Sequence, residues 1–105
     1  MSIIKIDPAL MPAFNQAAAM DRLRALRAPI LNALAGIGFD AVAADDQITV
    51  NAVKAARQGL KDIPQLPSVL AATSDEEFDA AVMARYKQLA AEAPANVRTA
   101  FKELA

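Results

Sequence analysis

The chain has no cysteine, no histidine and no tryptophan. Without Cys there is no disulfide framework, no thiolate nucleophile and no thiolate metal site. Without His the commonest general base and metal ligand is missing. Glycine is scarce at three residues, and the aromatics are four Phe and one Tyr. No charge sign is in excess: 11 Lys and Arg stand against 12 Asp and Glu. A nucleic-acid interface needs a concentrated basic face, so no nucleic-acid partner is expected. The N-terminus has no basic segment followed by a long apolar run, as a leader would. The longest strongly apolar uncharged run, Ala28 to Phe39, falls short of the roughly 20 residues that cross a bilayer, so no membrane association is expected. These absences read as a soluble protein of a reducing interior, and the absence of Cys is also compatible with an exported particle.

What the chain has in quantity is alanine, 26 of 105 residues. Hydrophobic residues make up 55% of the sequence, but alanine buries little area. The core must rest on the other aliphatic and aromatic side chains. A chain of this length forms one domain with a single modest core. Such a composition favours helices that approach closely, and a partner that completes their burial. The fold class read from the pattern is mostly α: a small multi-helix domain of about four helices, one kinked by proline, with a short extended N-terminal arm. Its parts are an arm over residues 1–12, a helical half over 13–63 and a helical hairpin over 68–105.

The arm, Ser2-Ile3-Ile4-Lys5-Ile6, is rich in β-branched residues and is stopped by Asp7-Pro8. It has no partner strand in this sequence, so it lies on the helices or adds to an edge on another protein. From about Ala13 to Ala35 a helix is predicted. Met20, Leu23, Ile30, Leu34 and Ile37 recur at helical spacing, with Gln16 and Arg27 at seam positions. That stripe fits a bundle helix rather than a strict coiled coil. Pro29 kinks or splits it near Arg27-Ala28. Arg22, Arg24 and Arg27 read as a solvated face partly neutralised by Asp21, rather than as an anion site. Gly36-Ile37-Gly38-Phe39-Asp40-Ala41 has the G-x-G-x-x-A form of a dinucleotide fingerprint. A helix precedes it where that motif needs a strand, so the fingerprint is rejected. The glycines read instead as a helix stop, with Gly36 or Gly38 as a left-handed cap. Residues 40–46 become a connection.

A second helix is predicted over Gln47 to Asp62, with Asp45 and Asp46 as candidate caps. Its inward positions are Ile48, Ala52, Val53, Ala56, Leu60 and Ile63. Gly59 costs this helix about 1 kcal/mol relative to alanine. Pro64 ends it, and Gln65-Leu66 is held as an extended corner between two prolines. A short helical turn follows over Ser68 to Ala72. The corner reads as a rigid connection or as a docking corner offering Leu66, Val69 and Leu70. Ser74-Asp75-Glu76-Glu77 is a capping box, opening a helix from Asp75 to about Glu92. That helix sets Phe78, Ala81, Val82, Tyr86 and Leu89 on one face, with the Tyr86 hydroxyl at the rim. Glu76 and Asp79 resemble an acid–base pair, but a capped, solvated first turn explains them more simply. Pro94 opens a last short helix carrying Val97, Ala100, Phe101 and Leu104.

The run Ala55-Ala56-Arg57-Gln58-Gly59-Leu60-Lys61-Asp62-Ile63-Pro64 resembles a stretch found in small bacteriophage tail-fibre assembly proteins. The opening Ile4-Lys5-Ile6-Asp7-Pro8-Ala9 is similar to the start of other short tail-associated phage proteins. The chain departs from the first pattern in continuing well past Pro64 and in having no Trp. The resemblance implies a non-enzymatic protein that binds a tail fibre or baseplate protein, as assembly chaperone or as small structural component. It implies residence in the host cytoplasm during assembly, or in the virion tail. The alternative is a small phage or bacterial regulator that inhibits a single host protein. An enzyme would have to work with no motif grouping its Asp, Glu, Lys, Arg, Ser, Thr or Tyr residues. No catalytic residue, cofactor or metal ligand is therefore assigned. Candidate partner contacts are Ile3, Ile4 and Ile6 in the arm, and Leu66, Val69 and Leu70 at the corner; a homo-oligomer is a further option.

Overall fold

The computed structural model describes residues 14–104, and among these the fold is mostly α, with no strand. The expected N-terminal arm lies outside the described residues.

The first helix, α1, spans Gln16–Ala43. Asn15 caps it, its side-chain oxygen accepting the Ala18 N–H at 3.0 Å, so the helix starts later than Ala13. Pro29 stands inside it, and the helix bends by 31° without splitting. The predicted stop at Ala35 is not there. Neither Gly36 nor Gly38 is left-handed, and the helix runs through both. The residues on either side keep the inward stripe: Ala19, Leu23, Ile30, Leu34 and Ala41 are all buried. That burial outweighs the roughly 1 kcal/mol each helical glycine costs. Gly38 also lets two helices approach, since a Cβ there would lie 3.1 Å from Val53 Cγ1.

The reversal falls at Ala44-Asp45 instead. Asp45 takes the left-handed conformation at φ 57°, which aspartate tolerates better than most residues. Its N–H donates to the Val42 carbonyl at 3.1 Å, and the Asp46 N–H donates to the Ala41 carbonyl at 2.8 Å. This pair of bonds is the Schellman arrangement, with Asp45 in the place usually held by glycine. Asp46 then caps the next helix, α2 (Gln47–Asp62), accepting the Thr49 N–H at 3.1 Å.

On α2 the buried positions are Thr49, Val53, Ala56, Gly59 and Leu60, continued by Ile63 in a 3-10 turn over Ile63–Gln65. Ile48, expected inward, is 80% exposed. The helical period selects Thr49 in its place, four residues before Val53. The hydroxyl is stable there because it donates to Asp46 Oδ2 at 2.6 Å and accepts the Asn96 amide at 2.9 Å. That chain of bonds ties the start of α2 to a later helix.

Leu66 is extended, and α3 (Pro67–Leu70) begins at the second proline of the corner. Ser74 caps α4 (Asp75–Glu92), accepting the Glu77 N–H at 3.1 Å. The Glu77 carboxylate turns back to Thr73, whose hydroxyl donates at 3.1 Å and whose N–H donates at 3.4 Å. The box therefore closes one residue earlier than Ser74. Pro94 is the N-cap of α5 (Ala95–Arg98), which continues into a 3-10 turn over Thr99–Leu104. The Arg98 guanidinium donates to the Ala90 and Ala93 carbonyls, each at 2.9 Å, and so satisfies the end of α4.

One cluster of buried side chains draws on all five helices and both turns. α1 packs chiefly on α2, while α4 supplies the large anchors Phe78 and Tyr86. Phe14 stacks obliquely on Phe78, ring centroids 6.1 Å apart. Tyr86 is 1% exposed, so its hydroxyl lies in the core and not at the rim.

Candidate functional site

The polar clusters singled out in the sequence resolve into structural bonds. Arg22 on α1 pairs with Asp79 at 3.2 Å and Asp75 at 3.1 Å on α4. The hydrogen bond to Asp79 is the main cause that raises the Arg22 pKa above its ordinary value. Arg24 pairs with Asp21 at 2.8 Å. Arg27 donates to the Leu60 carbonyl at 3.4 Å, where a cation also favours the C-terminal end of α2. The three arginines thus serve three different contacts and share no anion site. Among the described residues no group of three acidic side chains is placed to hold a metal ion.

Besides Arg22, two groups carry shifted acidities, Asp46 and Tyr86, and both belong to the scaffold. Asp46 is held below the usual carboxylate value, first by the Thr49 hydroxyl and then by the Thr49 backbone N–H. Tyr86 is pushed up to about 12 by burial. Its hydroxyl has no hydrogen-bond partner among the described residues.

The surface offers a different kind of feature. Beside its inward stripe, α1 carries a second apolar row, Ala35, Phe39 and Val42, spaced four and three apart. Phe39 is 76% exposed and Val42 66% exposed. With Gly38 and with Val50 and Val53 of α2, they line a cleft of about 300 Å³. Lys54 and Arg57 line its α2 side. Neither forms an ion pair among the described residues, and Arg57 Nε is buried without a hydrogen-bond partner. Exposed apolar side chains beside an apolar cleft make this face a candidate contact surface.

The residues chosen from sequence are placed elsewhere. Ile3, Ile4 and Ile6 lie outside the described residues. Val69 is fully buried, so in this structure it anchors α3 to the core and is not offered to a partner. Leu66 is half-buried against the same core, and only Leu70 is exposed, at 49%. Phe39 and Val42 lie on a helix face only because α1 runs through Gly36 and Gly38, where a stop is expected from the sequence. The signal was present as the second apolar row, offset by one position from the inward one.

By length and composition, α1 is the one described helix long and apolar enough to cross a membrane, with mean hydropathy 1.2 over its best 18-residue stretch. The uncharged run Ala28 to Phe39 stops at Asp40, while the helix itself continues to Ala43. In this structure α1 gives its inward stripe to the protein core.

Of the stretch resembling the tail-fibre assembly proteins, Leu60 and Ile63 are fully buried, and Asp62 accepts the Gln58 side-chain N–H at 2.8 Å. Arg57 alone among Arg57, Leu60, Asp62 and Ile63 lines the cleft beside Phe39. No protein-family model, no curated protein and no solved structure matches this chain.

Proposed function

We propose that this chain acts by protein contact and performs no catalysis, using the α1–α2 face around Phe39 and Val42 as its contact surface. The observation that carries this reading is the pair of large apolar side chains left exposed beside an apolar cleft. The resemblance of the Arg57 to Pro64 stretch supports a bacteriophage tail as the setting. There the chain binds a tail fibre or baseplate protein, as assembly chaperone or small structural component.

The test is a tagged pull-down from cells expressing the neighbouring genes, read by mass spectrometry. Wild type recovers a fibre or baseplate protein, and the double variant Phe39→Ser/Val42→Ser does not. Recovery of a single host protein, with no tail protein, overturns the tail setting in favour of an inhibitor. Undiminished recovery by the variant overturns this face as the contact and returns attention to Leu70 and the N-terminal isoleucines. A chaperone is missing from purified particles, whereas a component is present at fixed copy number.

A further inference from the structure

The cleft between α1 and α2 is apolar in its floor and charged in one sign only. Gly38 and Val53 form the close approach at its base, and Phe39, Val42 and Val50 form its walls. Among the described residues Lys54 and Arg57 supply its only charges, and no Asp or Glu lines it. Asp40 and Asp46 line a separate cleft with Ile37 and Thr49. We propose that the partner element seated here is an amphipathic helix carrying Asp or Glu beside its apolar stripe.

The inference rests on the contact reading above and names the chemistry of the partner. A groove between two helices accepts a third helix through apolar anchors at helical spacing. Two cations on one rim, unpaired within the described chain, select a partner with carboxylates on the facing side. A second copy docked by the same face would bring no carboxylate of its own described lining to Lys54 and Arg57, since that lining holds none.

Two fluorescein-labelled helical peptides of about 18 residues test the proposal. Both carry the same leucine stripe, flanked by Glu in one and by Lys in the other. Anisotropy titration with the full chain is expected to show saturable binding of the Glu peptide. The Lys peptide should bind about tenfold more weakly at low ionic strength, and the gap should narrow as salt is added. The variant Lys54→Glu/Arg57→Glu should reverse the preference. Phe39→Ser should weaken the Glu peptide while leaving the helical circular dichroism and the thermal melt unchanged, which separates lost contact from lost fold.

Equal affinity for the two peptides overturns the proposal, as does a preference that survives charge reversal. Capture by anionic phosphatidylglycerol vesicles, with neither peptide bound, overturns it in favour of a membrane surface. Sedimentation equilibrium showing a dimer that Phe39→Ser dissociates overturns it in favour of a second copy. If the pull-down partner is lost in Phe39→Ser/Val42→Ser but the peptides show no charge preference, the contact reading stands and this inference alone fails.

Discussion

Gly59 of α2 lies directly against Leu89 of α4. A Cβ added at Gly59 would come within 2.4 Å of Leu89 Cδ2. The glycine that weakens α2 as an isolated helix therefore allows α4 to close on it. Gly36 is the contrary case, exposed in mid-helix with nothing within 4 Å of an added Cβ. Gly36→Ala should stabilise the protein by about 0.5–1 kcal/mol through helix propensity and unfolded-chain entropy. Gly59→Ala gains the same term but overfills the core, and a net loss of about 1 kcal/mol is expected. Urea denaturation of both variants measures this. If Gly59→Ala is as stabilising as Gly36→Ala, the Leu89 side chain yields freely and the close approach is not required.

Asp45 occupies a left-handed position that glycine fills without strain. Asp45→Gly should raise stability by about 0.5–1 kcal/mol, and Asp45→Ala should lower it by a similar amount. The two thermal midpoints should move in opposite directions from wild type.

Val69 and Leu70 are neighbours with opposite surroundings, the first fully buried and the second 49% exposed. Val69→Ala should cost about 2 kcal/mol through lost burial and the cavity left behind. Leu70→Ala should stay within about 0.5 kcal/mol of wild type. A chemical-denaturation midpoint unchanged by Val69→Ala would contradict its core placement.

Tyr86 is the only tyrosine, so phenolate absorbance reports it alone. Its folded pKa, raised from 10.0 to about 12, makes the folded state hold the proton longer than the unfolded state. The stabilising term is complete below pH 10.0 and is lost as pH rises towards about 12. A fall of about 2–3 kcal/mol is expected over that range. Tyr86→Phe should abolish this fall without destabilising the protein at neutral pH, because the hydroxyl it removes has no partner among the described residues.

Asp46 gives the opposite dependence. Its folded pKa lies below the 3.8 of a free aspartate, so its contribution is complete above 3.8 and is lost as pH falls through the lower folded value. Thr49→Val removes the hydroxyl that Asp46 accepts from, and should flatten the acid limb of a stability–pH curve. An acid limb identical in wild type and Thr49→Val would show that this bond does not couple to folding.

Local chemistry in the sequence was enough for the starts of α2, α4 and α5, and for the inward face of α4. Asp46, Ser74 and Pro94 each mark a boundary because a side-chain acceptor or a missing N–H decides a helix start without reference to the rest of the chain. Phe78, Val82 and Leu89 face inward because the helical period alone brings them together. The candidate surface was only half legible. Phe39 and Val42 have the right spacing, but their helix was expected to stop before them.

Only the tertiary structure decided where local preference was outvoted. The α1 helix crosses Gly36 and Gly38 while Ala41 beyond them is buried and Gly38 brings Val53 close. Thr49 displaces Ile48 from the interior because Asp46 and Asn96, the latter far away in sequence, satisfy its hydroxyl. Val69 is core and Leu70 is surface because α3 has one buried side, which a four-residue helix is too short to declare in its own periodicity. In each case the deciding atoms belong to another element, and their energy of contact exceeds the propensity of the residues themselves.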